Sequence, residues 1–362
     1  MNIIYIDPQS YNNLADYDKY LLENIKEQKK FFCSTNLPYT KIDNTEIIRI
    51  YNYQDKKGII KVLSYCFSQI SLLKEIKRHK PSVIHFQWFK IPVFDYYVLK
   101  LIKKISSKSK IVHTAHNKLP HDSGAKYKKI YKKIYLLVDN IIVHAEITRN
   151  EICKEFSVNE EKITVIPHGF LPTKFKYKKT SLKDDVITFS FIGFLSDYKG
   201  LDILLDAWCV QSNIIDNNKC RLIIAGAGKV QCLNKIPENK NIVLENYFHS
   251  EEELAKIISC TDIAVLPYRQ ISQSGVLLTY LAEHIPVIVS KIGGLVQPFE
   301  IGNVGWILDE LNAQALANIL EKIIKDKDEL NSINKNDVLW NRIDDFYDWK
   351  NIGGKTLNLY RK

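Results

Sequence analysis

Short apolar runs alternate along this chain with longer amphipathic stretches. In the first half, runs at 2–6, 46–51, 83–86, 110–114, 140–143 and 163–166 read as strands. Helical spacing predicts helices over 17–30, 60–80 and 94–105, with a lysine-rich helix between 114 and 140. Pro167-His168-Gly169 closes the last run, and a polar, Lys-rich stretch over 170–185 reads as a linker. The alternation then restarts with strands at 186–192, 221–225, 242–245, 263–266, 287–289 and 304–307, and helices at 201–210 and 251–259. Such alternation implies parallel sheets covered on both faces. The expected fold class is α/β, with two Rossmann-like doubly wound domains in tandem facing a central cleft and ligands at the carboxyl ends of the strands. The expected domains are 1–172 and 173–345, followed by a closing segment over 346–362.

Length and composition sharpen this picture. With 362 residues, 46% of them apolar and 25% charged, the chain suits two globular domains. No apolar run approaches the roughly 20 residues a bilayer span needs. Met1 leads directly into a short apolar strand rather than a basic leader, so a cytoplasmic protein is expected. The seven cysteines are odd in number and show no zinc-ligand spacing, which points to reduced thiols and no metal. Charge is uneven: residues 1–172 hold 28 Lys+Arg against 17 Asp+Glu, while the remainder is close to neutral. An anionic partner for the first half follows, either a membrane surface or a phosphorylated lipid; nucleic acid is disfavoured because no binding motif accompanies the charge.

Three segments carry candidate chemistry. FIGFLSDYKG (191–200) joins a strand to a glycine turn, where Gly193 admits a close ligand and Lys199 sets a cation beside a helix start. RLIIAGAG (221–228) ends a second strand in glycines, with Gly226 the weaker candidate contact. In VLPYRQISQSGVLLTYLAEHIPVIVSKIGG (265–294), Ser274, Gly275 and Val276 fall where a helix begins, so their N–H groups would face an anion; Ser274 also suits an N-cap. In the first half, Gln87 and Asn117 lie at strand ends, where either could bind acceptor or donor hydroxyls. His113 reads as core, and the loop residues His121 and Asp122 read as solvated or acceptor-facing.

The order of these segments resembles the donor-binding half of the GT-B-fold glycosyltransferases, family 4 in particular. VIHFQW (83–88), VHTAHNKLPHD (112–122), IIVHAE (141–146) and ITVIPHGF (163–170) resemble the strand ends of that family's other half. The resemblance implies that Lys199 and the amides of Ser274, Gly275 and Val276 hold the donor diphosphate. It implies that the loop 246–249, with Phe248, meets the nucleobase, and that His116 faces the transferred sugar. Two family glutamates, eight residues apart, correspond to Ile271 and Thr279, and a common arginine corresponds to Phe194. Glu283, four residues after Thr279 on the same helix face, is a candidate partial substitute. A branch of bacterial polysaccharide glycosyltransferases is the nearer resemblance. The implied activity is transfer of a sugar from a nucleotide-diphosphate sugar to a glycan or polyprenyl-diphosphate-linked acceptor, retaining, metal-independent and without a cofactor. A non-catalytic glycosyltransferase-like binding subunit and a GT-B sugar-nucleotide epimerase are the alternatives.

KYKKIYKKIY (126–135) places Tyr127, Ile130, Tyr131, Ile134 and Tyr135 on one helical face and lysines on the rest. This stripe either packs on the core or adsorbs to an anionic leaflet at the inner face of the cell membrane.

Overall fold

A computed structural model describes residues 1–11, 13–120, 124–177, 186–210, 219–236 and 241–362. The chain forms two units, Met1–Gly169 with Tyr347–Lys362, and Phe170–Phe346.

Unit 1 is built on strands β1 (Ile3–Asp7), β2 (Lys29–Ser34), β3 (Thr45–Tyr51), β4 (Val83–Phe86), β5 (Lys110–Thr114), β6 (Asn140–Val143) and β7 (Ile163–Val165). They form one parallel sheet in the order β3-β2-β1-β4-β5-β6-β7. The connecting helices are α1 (Asn13–Glu23), α2 (Gly58–His79), α3 (Pro92–Ile105), α4 (Gly124–Leu137) and α5 (Glu146–Phe156). Central strands such as β1 (IIYID) and β4 (VIHF) are buried along their whole length, as the unbroken apolar runs of a doubly covered sheet require.

Unit 2 repeats the plan with β8 (Ile187–Ile192), β9 (Cys220–Ala225), β10 (Ile242–Glu245), β11 (Ile263–Leu266), β12 (Val287–Ser290) and β13 (Gly305–Leu308), in the order β10-β9-β8-β11-β12-β13. Its described helices are α6 (Leu201–Val210), α7 (Glu251–Ser259), α8 (Gly275–Ala282), α9 (Ala313–Lys325), α10 (Asp328–Asn334) and α11 (Asp337–Tyr347). Helix starts follow sequence: Ser250 and Glu253 form a reciprocal capping box on α7, and Asn312 caps α9. The last helix, α12 (Trp349–Arg361), belongs to unit 1 and is capped by Asp348. There Gly353 lies against the Asn24 carbonyl so closely that an added Cβ would sit 2.4 Å from it.

Both sheets are Rossmann-like, so the α/β doubly wound expectation holds. One element differs. The helix expected over 17–30 stops at Glu23, and Lys29–Ser34 becomes β2 between β1 and β3. Phe31, Phe32 and Cys33 are fully buried there, so burial between two strands overrides a helical pattern. The Lys29 ammonium turns back onto the carbonyls of Ile25 and Glu27, at 2.6 and 3.0 Å. In α4, Tyr131, Ile134 and Tyr135 are buried in the core and the lysines face outward, so the stripe is a packing face and not an adsorbing one.

Candidate active site

In unit 1, four strands that are neighbours in the sheet each deliver a side chain just past their carboxyl ends. Gln87 follows β4, His116 lies two residues beyond β5, His144 follows β6, and His168 stands after β7 and Pro167. Parallel strands in register put these residues in a row, and the row is hydrogen-bonded. His116 Nε2 meets Gln87 Oε1 at 2.8 Å, His116 Nδ1 meets His144 Nε2 at 3.1 Å, and His144 Nδ1 meets the Ile166 carbonyl at 2.9 Å. The oxygens at the two ends each call for an N–H. Two neutral imidazoles supply those two hydrogens and leave lone pairs facing across 3.1 Å. With both rings neutral, the row is completed by Gln87 turning its NH2 toward His116 Nε2, so that His116 Nδ1 donates to His144 Nε2.

Rings enclose the row. Trp88 stacks on His116 at 4.6 Å and 5°, Tyr17 from α1 meets His116 edge-on at 4.9 Å, and Trp349 of α12 meets Tyr17 at 5.2 Å. An added Cβ on Gly169 would collide with the Trp349 indole, so only glycine fits there. Burial holds the imidazoles neutral. It pushes His144 down to about 3 and His168 to about 4, and it holds His116 well below the ordinary range, with neighbouring histidines adding to the effect. His85 and His113, buried beneath, are pushed down to about 3 and 4. At the end of β1, burial raises the Asp7 carboxyl to about 6; Asp18 is raised by burial and by the Asp7 charge, and it accepts from the Tyr5 hydroxyl at 2.7 Å.

Of the expected first-half residues, His116 stands in this row. Gln87 does too, fully buried, with its amide engaged by His116, Thr114 and His85. Asn117 is partly buried and makes no hydrogen bond among the described residues. His121 and Asp122 lie outside the described residues. His113 is core, donating from Nδ1 to the Phe86 carbonyl at 3.0 Å. His144, His168, Trp88 and Tyr17 were not singled out as site residues from sequence, although each of the first three directly follows a strand or its closing residue.

Unit 2 gathers different chemistry at its strand ends. Gly193 follows β8 with φ +103, and Gly226 follows β9 with φ +150. A Cβ on Gly226 would lie 2.0 Å from the Gly193 carbonyl, and one on Gly193 would lie 2.9 Å from Lys199 Nζ and 3.1 Å from Val276 Cγ2. The two glycine turns, the lysine and the start of α8 thus converge. Lys199 closes a short 3-10 turn (Asp197–Lys199) and is only 6% exposed. Its ammonium sits over the Tyr268 ring at 5.6 Å and makes no ion pair among the described residues. Burial alone pushes it down to about 8. Gly200, which follows, has φ +69 and lies against the Pro267 carbonyl.

Ser274 caps α8 by accepting from the Leu277 N–H at 3.2 Å. The amides of Gly275 and Val276 remain without a partner among the described residues, and the space beside Gly275 is open. Thr279 donates its hydroxyl to the Gly275 carbonyl at 3.0 Å, so the helix itself satisfies it. Glu283 does not stand beside the start of α8 as a substitute carboxylate. It lies at the other end of α8, where it accepts from Lys176 at 2.6 Å and Thr173 at 3.2 Å. In the loop after β10, Phe248 is 88% exposed, beside Tyr247 stacked on His249 at 4.0 Å. No cluster of three or more His, Cys, Asp or Glu side chains able to hold a metal occurs among the described residues.

Each unit matches a family model of its own. The model described as Glycosyltransferase Family 4 matches residues 36–172, and that described as Glycosyl transferases group 1 matches residues 187–326. With two Rossmann-like sheets, these matches place the fold in the GT-B class known from glycosyltransferases. Within that class the chain belongs to the family 4-like glycosyltransferases. An uncharacterised glycosyltransferase of Methanocaldococcus jannaschii is 25% identical over 262 residues, 66% of this chain and 64% of the relative. D-inositol 3-phosphate glycosyltransferase of Corynebacterium urealyticum is 26% identical over 180 residues, 47% of this chain and 42% of the relative. The chain therefore spans less than two thirds of the length of either. Anabaena HepE, solved with UDP and glucose, shares the fold with a TM-score of 0.70 at 14% identity, covering 99% of each chain.

Proposed function

We propose that the protein transfers a sugar from a nucleoside diphosphate sugar to a glycan or polyprenyl-diphosphate-linked acceptor in surface polysaccharide assembly, working at the inner face of the cell membrane. The observation that carries this reading is Lys199, a buried cation with no anionic partner among the described residues, set against Gly193 and the free amides that open α8. A buried ammonium is costly unless an anion meets it, and a diphosphate supplies that anion. That Anabaena HepE was solved with UDP adds support for such a ligand. Gly193 and Gly226 let the diphosphate approach the backbone, and Gly275, Val276 and the capping residue Ser274 line the helix start. Phe248, exposed beside β10, is the candidate platform for the base.

In the transfer, the bond between the anomeric carbon and the diphosphate oxygen breaks and the acceptor hydroxyl oxygen bonds to that carbon. The hydroxyl proton passes to the departing diphosphate. Lys199 and the α8 amides take up the charge that develops on that leaving group, a role otherwise open to a metal ion, and retention is the expected outcome. His116 faces the reacting sugar, held in place by His144 and Gln87, and Asn117 is the nearest candidate for an acceptor hydroxyl. A thermal-shift screen against UDP, GDP, CMP and dTDP sugars tests this reading. One nucleotide class should stabilise the protein, by roughly 2.7 kcal/mol at a hundredfold excess over Kd, and the shift should vanish in Lys199→Ala. No shift with any nucleotide would favour a non-catalytic binding subunit, the role for which Ile271 and Thr279 in place of glutamates argue.

A further inference from the structure

Helix α2 is turned inside out. The face it packs on unit 1 carries Ser64, Tyr65, Ser68 and Gln69 beside Leu72 and Ile76. That face is fastened by polar bonds: Tyr65 and Gln69 both donate to Asp95 of α3, at 2.7 and 3.0 Å, and Ser68 donates to the Ile50 carbonyl at 2.6 Å. The apolar stripe faces away. Ile59, Leu63, Phe67 and Ile70 recur at helical spacing, with Ile59 74% and Phe67 66% exposed. α3, packed beside α2, adds the exposed Val93, Tyr97 and Leu101, each four residues from the last. An apolar face of this extent on a unit whose core is otherwise full marks a contact surface.

Charge identifies what would cover it. Residues 56–80 hold seven Lys and Arg against one acid, Glu75, which pairs with His79 at 3.1 Å. Lys57, Lys74, Lys77 and Arg78 are exposed and make no ion pair among the described residues. Lys74 continues the apolar stripe one turn further. An apolar stripe bordered by unpaired cations fits a lipid leaflet with anionic headgroups, where the side chains enter the acyl boundary and the lysines meet phosphate. Among the described residues no helix is long and apolar enough to cross a membrane, so the contact lies along the surface. We infer that α2, with α3 beside it, docks the protein in the plane of an anionic bilayer. This rests on the proposed lipid-linked acceptor, and it assigns the membrane contact to a face other than α4.

Vesicle flotation of the full chain tests it, with phosphatidylcholine vesicles with and without 30% phosphatidylglycerol as probe. Wild type should bind the anionic vesicles at least tenfold better, and binding should weaken with salt. Leu63→Ser with Phe67→Ser, both exposed positions, should lower binding at least tenfold while leaving the nucleotide thermal shift unchanged. Lys74→Glu with Lys77→Glu should remove the preference for anionic vesicles. Vesicle binding that survives the double serine change overturns the inference, as does a wild type that does not bind. A dimer that dissociates on the same change also overturns it, because a second copy would then be the occupant. Loss of the nucleotide shift with vesicle binding intact would instead count against the transferase reading alone.

Discussion

Unit 2 and unit 1 treat charge at their strand ends in opposite ways. In unit 2 a lone ammonium is held in a dry setting of glycine turns and helix amides, with no carboxylate to neutralise it among the described residues. In unit 1 a row of imidazoles is packed so tightly that burial keeps every one uncharged near neutral pH. The first arrangement waits for an anion. The second offers directed hydrogen bonds without a net charge that would compete for that anion. Under the proposed transfer, the first would grip a diphosphate and the second would handle neutral sugar hydroxyls.

Replacing the key residue of each half should separate the two most clearly. Lys199→Ala should weaken UDP-class binding about 100-fold, or about 2.7 kcal/mol, by calorimetry. His116→Ala should leave that affinity within about threefold and lower kcat instead. Equal losses of affinity in both variants would break the contrast. Acid–base behaviour gives the next largest effect. With the Lys199 ammonium pushed down to about 8, nucleotide affinity should stay level from pH 6 to 7.5 and then fall about tenfold per pH unit above 8. A flat profile to pH 10 would mean another group holds the anion.

Much of this was legible in sequence, for identifiable reasons. Strands β1, β4, β8 and β11 announce themselves as short, mostly apolar runs rich in Ile, Val and Phe. The convergence in unit 2 was readable because its glycine turns, its lysine and its helix start each carry a local signal in the sequence. The histidine row was not, because Gln87, His116, His144 and His168 are separated by about 25 residues at each step and meet only through strand order. The α2 and α4 helices show a second limit. Both combine lysines with an apolar stripe, and only packing decides that α4 turns Tyr135 inward while α2 turns Phe67 outward. Strand β2 escaped because its apolar stretch abuts a helix-like pattern.

Smaller effects sharpen the comparison. His144→Phe should lower kcat about tenfold with donor KM within about twofold, since it removes the partner of His116 Nδ1. The sign of its pH effect is set by repulsion. Protonated His144 disfavours charge on His116, so its loss lets the His116 pKa rise and moves the acid limb of the kcat profile to higher pH. An unmoved limb would make His144 a packing residue only. The smallest effect is expected for Glu283→Gln, which should change nucleotide Kd less than about twofold because Glu283 is engaged with Lys176 and Thr173. A tenfold loss would return it to the donor site.

The seam made by α12 bears on how the protein is born. Trp349 covers Tyr17 and Gly169, and Tyr360 reaches the buried His85, so the histidine chamber is walled by residues made after all of unit 2. On the ribosome, the half translated first must wait unfinished, its aromatic pocket open, while the half translated second already has every residue it needs. Assembly thus runs against the order of synthesis, and a nascent chain halted before residue 349 would expose its stickiest surface to the chaperones that patrol the tunnel exit.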